Sequence, residues 1–290
     1  MNAESLLVDV GDYCRRRAQA QVVCIDVRDR AAYARGHLPG AVNVPEFFEY
    51  NALSTPAGQR DLVTTFERVL GAVGLSGNEH VVVYEDAMDS GLGRSCRAQV
   101  LLAHFGFPAP RVLHGGFAAW RDLGLEVEVC DVLPAARDCV LSMPPGSPIV
   151  TMAQILDTLD APDVIRLDVR NQDEWDATAN TPSGTVDDGL RLGRLPNASW
   201  LPWTDLLDLD GAVPRLLPAE RVRERCESAA GATPDSPIQL YCYKGARASC
   251  AYVALHEAGF SQLSLYLASW REWGADPTLP IDSPVGARGR

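Results

Sequence analysis

The residues best placed to do chemistry stand together at 242–247, as Cys242-Tyr243-Lys244-Gly245-Ala246-Arg247, directly after the run Ile238-Gln239-Leu240-Tyr241. That run is apolar and β-prone, which predicts a buried strand. From Ala248 to Ala258 the residues Ala251, Val253, Ala254 and Leu255 supply helical apolar faces, and Gly259 provides the stop. A strand–loop–helix unit aims the loop's backbone N–H groups and the positive end of the helix dipole at whatever sits in the loop. A thiol there is favoured as thiolate, and the two loop cations push the same way. Cys242 therefore reads as a nucleophile in an anion-binding cradle built from the backbone of 243–247, Ala246 included, with Gly245 permitting the tight curl. Lys244 is a candidate anion binder. Arg247 either binds the anion or closes the loop by donating to its carbonyls.

The remaining composition narrows the setting. The 290 residues allow two ordinary domains, and 47% apolar with 22% charged residues is the balance of a soluble globular protein. A net charge of −12 argues against a general nucleic-acid or anionic-membrane binder, although it leaves room for a local basic pocket. No apolar run has the length of a membrane span. The opening Met1-Asn2-Ala3-Glu4-Ser5 lacks the basic start and apolar core of a signal peptide, so the expected location is cytoplasmic. None of the eight cysteines forms a C-x-x-C pair, which removes support for a zinc or thioredoxin-like site. Cys24 and Cys250 read as small buried hydrophobes in a reducing compartment.

The elements that must position the cysteine are written twice. Val22–Asp26, Val81–Tyr84 and Val112–Leu113 read as strands in the first half, with helices over Asp61–Val73 and Ser95–Phe105. Val164–Asp168, the strand before Cys242 and Leu263–Tyr266 repeat the order in the second, with a helix over Pro218–Ala229. The two halves share words. Asp26-Val27-Arg28 answers Asp168-Val169-Arg170, Gly36-His37-Leu38-Pro39-Gly40-Ala41 answers Gly193-Arg194-Leu195-Pro196-Asn197-Ala198, and Trp120-Arg121-Asp122-Leu123-Gly124 answers Trp270-Arg271-Glu272-Trp273-Gly274. Counting back from the Gly-Phe pairs at 106 and 259 sets Arg94 against Arg247. Strands alternating with helices imply a parallel sheet covered by helices on both faces, once per copy. The expected division is an N-terminal domain over 1–128, a proline-rich linker over 129–148 and a C-terminal domain over 149–282, with a loose tail after Pro280.

These words resemble the rhodanese superfamily in its tandem-domain form, the thiosulfate and 3-mercaptopyruvate sulfurtransferases. The resemblance spans most of residues 7–277 and implies an α/β fold of two rhodanese-like domains, each with about five parallel strands. It also implies a monomer. In the first copy the position after the strand is Glu85 rather than cysteine, so by similarity that domain is catalytically inactive. A carboxylate there should repel thiolate and substrate anion alike. The resemblance gives Arg170 a contact with the sulfur donor, against a plainer reading as the partner of a neighbouring acid. His37 reads as structural, against an alternative in which its turn faces the active cleft, and Trp203, Trp270 and Trp273 read as core or cleft wall rather than specific ligands.

The implied chemistry is double displacement. The Cys242 thiolate takes a sulfur atom from a donor, holds it as a persulfide and passes it to an acceptor. Two loop cations favour the dianion thiosulfate over the monoanion 3-mercaptopyruvate. The expected acceptor is cyanide or a thiol, with a sulfur-carrier protein or a thioredoxin-like reductant as further partners. No metal or organic cofactor is implied. A phosphatase or arsenate reductase would want Cys-x5-Arg, one residue longer than the Cys-x4-Arg present here. A non-catalytic binding module is the rival from another class, and the intact cysteine, glycine and cations weigh against it.

Overall fold

The computed structural model describes residues 4–19 and 22–283. The first unit contains the strands β1 (Leu7–Val8), β2 (Val23–Asp26), β3 (Val42–Asn43), β4 (Val81–Tyr84) and β5 (Arg111–Leu113), with helices α1 (Val10–Ala18), α2 (Arg30–Arg35), α3 (Glu46–Glu49), α4 (Pro56–Ala72), α5 (Arg94–His104) and α6 (Gly116–Asp122). The second contains β6 (Ile149–Val150), α7 (Met152–Asp157), β7 (Ile165–Asp168), α8 (Gln172–Trp175) and β8 (Ala198–Trp200), then, after a hairpin of β9 (Leu207–Asp208) and β10 (Arg215–Leu216) that groups with the first unit, α9 (Ala219–Ala230), β11 (Ile238–Tyr241), α10 (Ala246–Glu257), β12 (Leu263–Tyr266) and α11 (Ser269–Trp273).

Each unit is built on one five-stranded sheet, ordered β1-β5-β4-β2-β3 in the first and β6-β12-β11-β7-β8 in the second, with every pairing parallel. The two orders are the same, and helices flank both sheets. This is the expected tandem α/β architecture. The central strands β4 and β11 are buried at every residue, as their apolar and aromatic side chains require; the one polar residue, Gln239, donates to Thr158 Oγ1 at 2.9 Å. Parallel strands need crossovers, and the helices supply them. Their ends carry the signals that start them. The Asp9 and Asp29 carboxylates accept from the backbone N–H groups of Asp12 and Ala32, and α4 opens on Pro56, whose missing N–H costs nothing at a first helical position. That helix starts five residues before the amphipathic stretch in the sequence does.

The division of the chain differs from a simple cut. One compact unit comprises residues up to Tyr50, Pro56–Ser147 and Leu207–Leu216; the other comprises Asn51–Thr55, Pro148–Leu206 and the residues from Leu217 on. The stretch expected as linker has no helix and groups with the first unit, because its backbone donates to it: Arg137 N to Gly71 O at 2.9 Å, Val140 N to Ser76 O at 3.2 Å and Ser142 N to Phe105 O at 3.2 Å. The hairpin at 207–216 also belongs to the first unit, where Leu216 N donates to His114 Nε2 at 3.0 Å. Of the tail, Asp282 is tied down by paired backbone hydrogen bonds with Arg194, and residues 284–290 lie outside the described residues.

Both units carry the same buried brace. In the first, Arg28 donates to Asp26 and to the carbonyl of Gly36, while the Tyr84 hydroxyl donates to Asp26 Oδ2 at 2.6 Å and accepts from Leu38 N. In the second, Arg170 donates to Asp168 and to the carbonyl of Gly193, while the Tyr241 hydroxyl donates to Asp168 Oδ2 at 2.7 Å and accepts from Leu195 N. The repeated Asp-Val-Arg words therefore fasten each central strand to its neighbour and to the Gly-x-Leu-Pro turn. Buried charges persist in a core only when paired and hydrogen-bonded in this way.

Candidate active site

Cys242 stands at the C-terminal end of β11, the middle strand of the second sheet, and is 1% exposed. Its backbone is held on both sides. The N–H donates to Ser269 Oγ at 3.1 Å, and the carbonyl accepts from Trp270 N at 3.1 Å. The next carbonyl, that of Tyr243, accepts from Arg271 N at 2.9 Å. The chain then turns sharply, so that Gly245 N donates to Cys242 Sγ at 3.1 Å and α10 begins at Ala246. Gly245 has φ +88°, and a Cβ there would lie 2.5 Å from the carbonyl oxygen of Leu267. The curl thus needs glycine both for its backbone angle and for the space. The sulfur rests on a backbone N–H at the positive end of a 12-residue helix. Of the backbone donors expected at 243–247, that of Gly245 faces the sulfur. Tyr243 and Lys244 are half-buried beside it, and Ala246 is buried as the first residue of α10.

Arg247 is paired with a residue that the sequence did not suggest. It neither reaches back to the loop carbonyls nor offers an uncommitted charge to an anion. Its Nη1 and Nη2 donate to the two carboxylate oxygens of Glu174, at 2.5 and 2.9 Å, and both side chains are buried. Burial opposes the guanidinium charge, but the Glu174 carboxylate more than restores it. Glu174 was not singled out from the sequence. It opens α8 and accepts from Asn171 N at 3.1 Å, so in sequence terms it reads as an ordinary helix-start acid.

Arg170 is brought beneath the loop but is 0% exposed. Its main engagement is the pair with Asp168 at 2.6 Å, and its guanidinium lies over the Trp270 ring at 4.7 Å. Burial works against its charge, and Asp168 outweighs that effect. The reading as partner of a neighbouring acid is what the structure displays, and Arg28 does the same in the first unit. One difference remains. Arg28 Nη1 donates to Asp86 at 2.8 Å, whereas Arg170 Nη1 is buried with no hydrogen-bond partner among the described residues.

Backbone hydrogen bonds align the two copies more closely than words do. Phe117 N and Ala118 N donate to the carbonyls of Glu85 and Asp86, as Trp270 N and Arg271 N do to those of Cys242 and Tyr243. Glu85 is therefore the counterpart of Cys242, and Phe117, not Trp120, is the counterpart of Trp270. Trp120 instead matches Trp273. Each donates its indole N–H to a backbone carbonyl a few residues on, that of Glu126 or Pro280. The tryptophan words are offset by three residues, one helical turn, which leaves the apolar face in register and the letters out of it. Counted from their glycine N-caps, Gly93 and Gly245, the counterpart of Arg247 is Ser95, not Arg94. The helix α10 is one residue longer than α5, so counting back from its far end gives the wrong partner.

The Glu85 carboxylate is hydrogen-bonded at the start of α5. It accepts from Ser95 Oγ at 2.7 Å and from Ser95 N and Arg94 N, both at 3.2 Å. Burial is the largest influence on it and raises its pKa to about 7 against these hydrogen bonds. His37 is likewise internal, buried and stacked on Tyr33 at 3.8 Å. Trp203, Trp270 and Trp273 are buried. Among the described residues no helix is long and apolar enough to cross a membrane.

The model of the rhodanese-like domain matches this chain twice, over residues 10–123 and 151–276. The chain belongs to the rhodanese-like family. Its curated relatives extend over nearly its whole length and are sulfurtransferases. A thiosulfate sulfurtransferase of Pseudomonas aeruginosa is 25% identical over 292 residues, covering 96% of this chain and 97% of the relative. A 3-mercaptopyruvate sulfurtransferase of Escherichia coli K12 is 28% identical over 256 residues, covering 86% and 84%. Among solved structures, the anaerobic ergothioneine biosynthesis enzyme from Chlorobium limicola superposes with a TM-score of 0.79 at 21% identity, over 96% of this chain and 70% of that one. This last likeness speaks for the fold.

Proposed function

We propose that this sulfurtransferase moves a sulfane sulfur from thiosulfate to a thiophilic acceptor, cyanide or a thiol, through a persulfide on Cys242. The observation that carries the reading is the seat of the sulfur, on the Gly245 N–H at the N-terminus of α10 and the end of the central strand. The Cys242 thiolate attacks the outer sulfur of thiosulfate; the S–S bond breaks and its electron pair leaves with sulfite. The persulfide anion that results is stabilised by the loop N–H groups of 243–247. The acceptor then attacks the terminal sulfur, and the Cys242–sulfur bond breaks to return the thiolate. With cyanide as acceptor the product is thiocyanate. Lys244 assists the anionic donor, and Arg170 braces Asp168 and the turn at Gly193. The first unit carries no sulfur, since Glu85 stands in place of the thiol.

One observation favours 3-mercaptopyruvate as a second donor. Glu174 neutralises Arg247, so one of the two cations that argued for a dianion is already committed. Intact mass after brief exposure to thiosulfate tests the proposal. The expected result is a gain of one sulfur atom, reversed by reductant and absent from Cys242→Ser. No gain with either donor refutes the carrier role.

A further inference from the structure

The Glu174–Arg247 pair separates from the fold when the two units are compared. Both units have the same sheet order, the same Asp–Arg–Tyr brace and a left-handed glycine at the N-cap of the helix after the central strand, although the connection before it is longer in the first unit (85–93) than in the second (242–245). Only the second has the pair. Six residues beyond the bracing aspartate the first unit has Ala32, where the second has Glu174. At the second position of the following helix the first unit has Ser95, which holds the buried Glu85, where the second has Arg247. A fold that forms without this ion pair in one copy does not require it in the other. The pair accompanies the cysteine.

Arg247 is the second residue of α10, two positions past Gly245, whose N–H donates to Cys242 Sγ at 3.1 Å. Glu174 fixes the Arg247 guanidinium bidentately from α8 and offsets its charge. We propose that Glu174 is a positioning residue that sets how strongly Arg247 favours the Cys242 thiolate, an inference that rests on the carrier role of Cys242. The other charged or titratable groups around the loop are Tyr243 and Lys244 on the loop itself, Asp168 and Arg170 at and just past the end of β7, Tyr241 on β11, and Arg271 and Glu272 on α11. Asp168 is committed to Arg170 and Tyr241, and Glu272 to Ser54 and Tyr266. Glu174 is the carboxylate that engages Arg247 directly.

The test is the pH dependence of Cys242 alkylation by iodoacetamide, followed by peptide mass so that the other seven cysteines do not interfere. Glu174→Gln keeps the side-chain shape and removes the offsetting charge. Its midpoint is expected to fall by about one pH unit. Below the midpoint, alkylation then runs about threefold faster, since the more acidic thiolate is also the weaker nucleophile. The double change Glu174→Gln with Arg247→Gln is expected to bring the midpoint back to or above its original value. Glu174→Asp keeps the charge and is expected to keep the midpoint, even where its thermal stability falls. A brace without electrostatic effect would lower stability in all three and leave the midpoint in place; that result, or a rise in Glu174→Gln, overturns the proposal. Alkylation needs no sulfur donor, so a protein that shows these shifts yet never gains sulfur would refute the sulfur-transfer reading alone.

Discussion

Replacing Glu85 by Gln should change how the stability of the first unit depends on pH. The carboxyl ordinarily titrates at 4.5 and in the folded unit at about 7, because burial outweighs the hydrogen bonds from Ser95 and Arg94. Between those values the folded chain keeps a proton that the unfolded chain has released. Stability therefore falls as pH rises through this window, and the penalty is complete above about pH 7. At about 1.4 kcal/mol per pH unit it reaches about 3 kcal/mol. Glutamine cannot titrate, so its own hydrogen-bonding cost in the cradle is constant across the range and cancels from the comparison. Thermal or denaturant unfolding of the two proteins at intervals from pH 4.5 to 8 should show the variant gaining about 3 kcal/mol on its parent across the series, about 6–12 °C in the midpoint of the first unit. Curves that stay parallel would show that Glu85 is ionised equally in both states, and the reasoning from burial would fail.

Two further changes bear on the second unit. Gly245→Ala forces a Cβ onto the Leu267 carbonyl at a left-handed backbone angle, and should cost about 1–3 kcal/mol in denaturant unfolding while greatly slowing sulfur loading; an unchanged unfolding midpoint would count against the close approach. Lys244→Ala should weaken thiosulfate use more than 3-mercaptopyruvate use in steady-state kinetics, by about tenfold in kcat/KM against the dianion; equal losses on both donors would remove Lys244 from donor choice.

The sequence by itself determined the architecture and singled out the cysteine proposed as nucleophile. Two runs of alternating strand and helix patterns demanded two parallel sheets, and the strand before Cys242, apolar or aromatic but for Gln239, read as buried; the sheet order then made it central. Cysteine, glycine and the following helical pattern are local signals, a few residues apart, so the cradle was legible before any contact was known. The same locality explains why Glu85 stood out as the difference between the copies. Only the tertiary structure decided where the charges went. Arg247 looked available because its partner, Glu174, lies 73 residues earlier, on a helix that the sheet order brings alongside; no spacing rule links them. Arg170 could be weighed as a ligand or a brace from its letters, and its burial against Asp168 depends on a strand pairing made across the sheet. The tryptophan words misled for a related reason. Two residues one helical turn apart present the same apolar face, so likeness of letters could not set the register, whereas the backbone hydrogen bonds to Cys242 and Glu85 did.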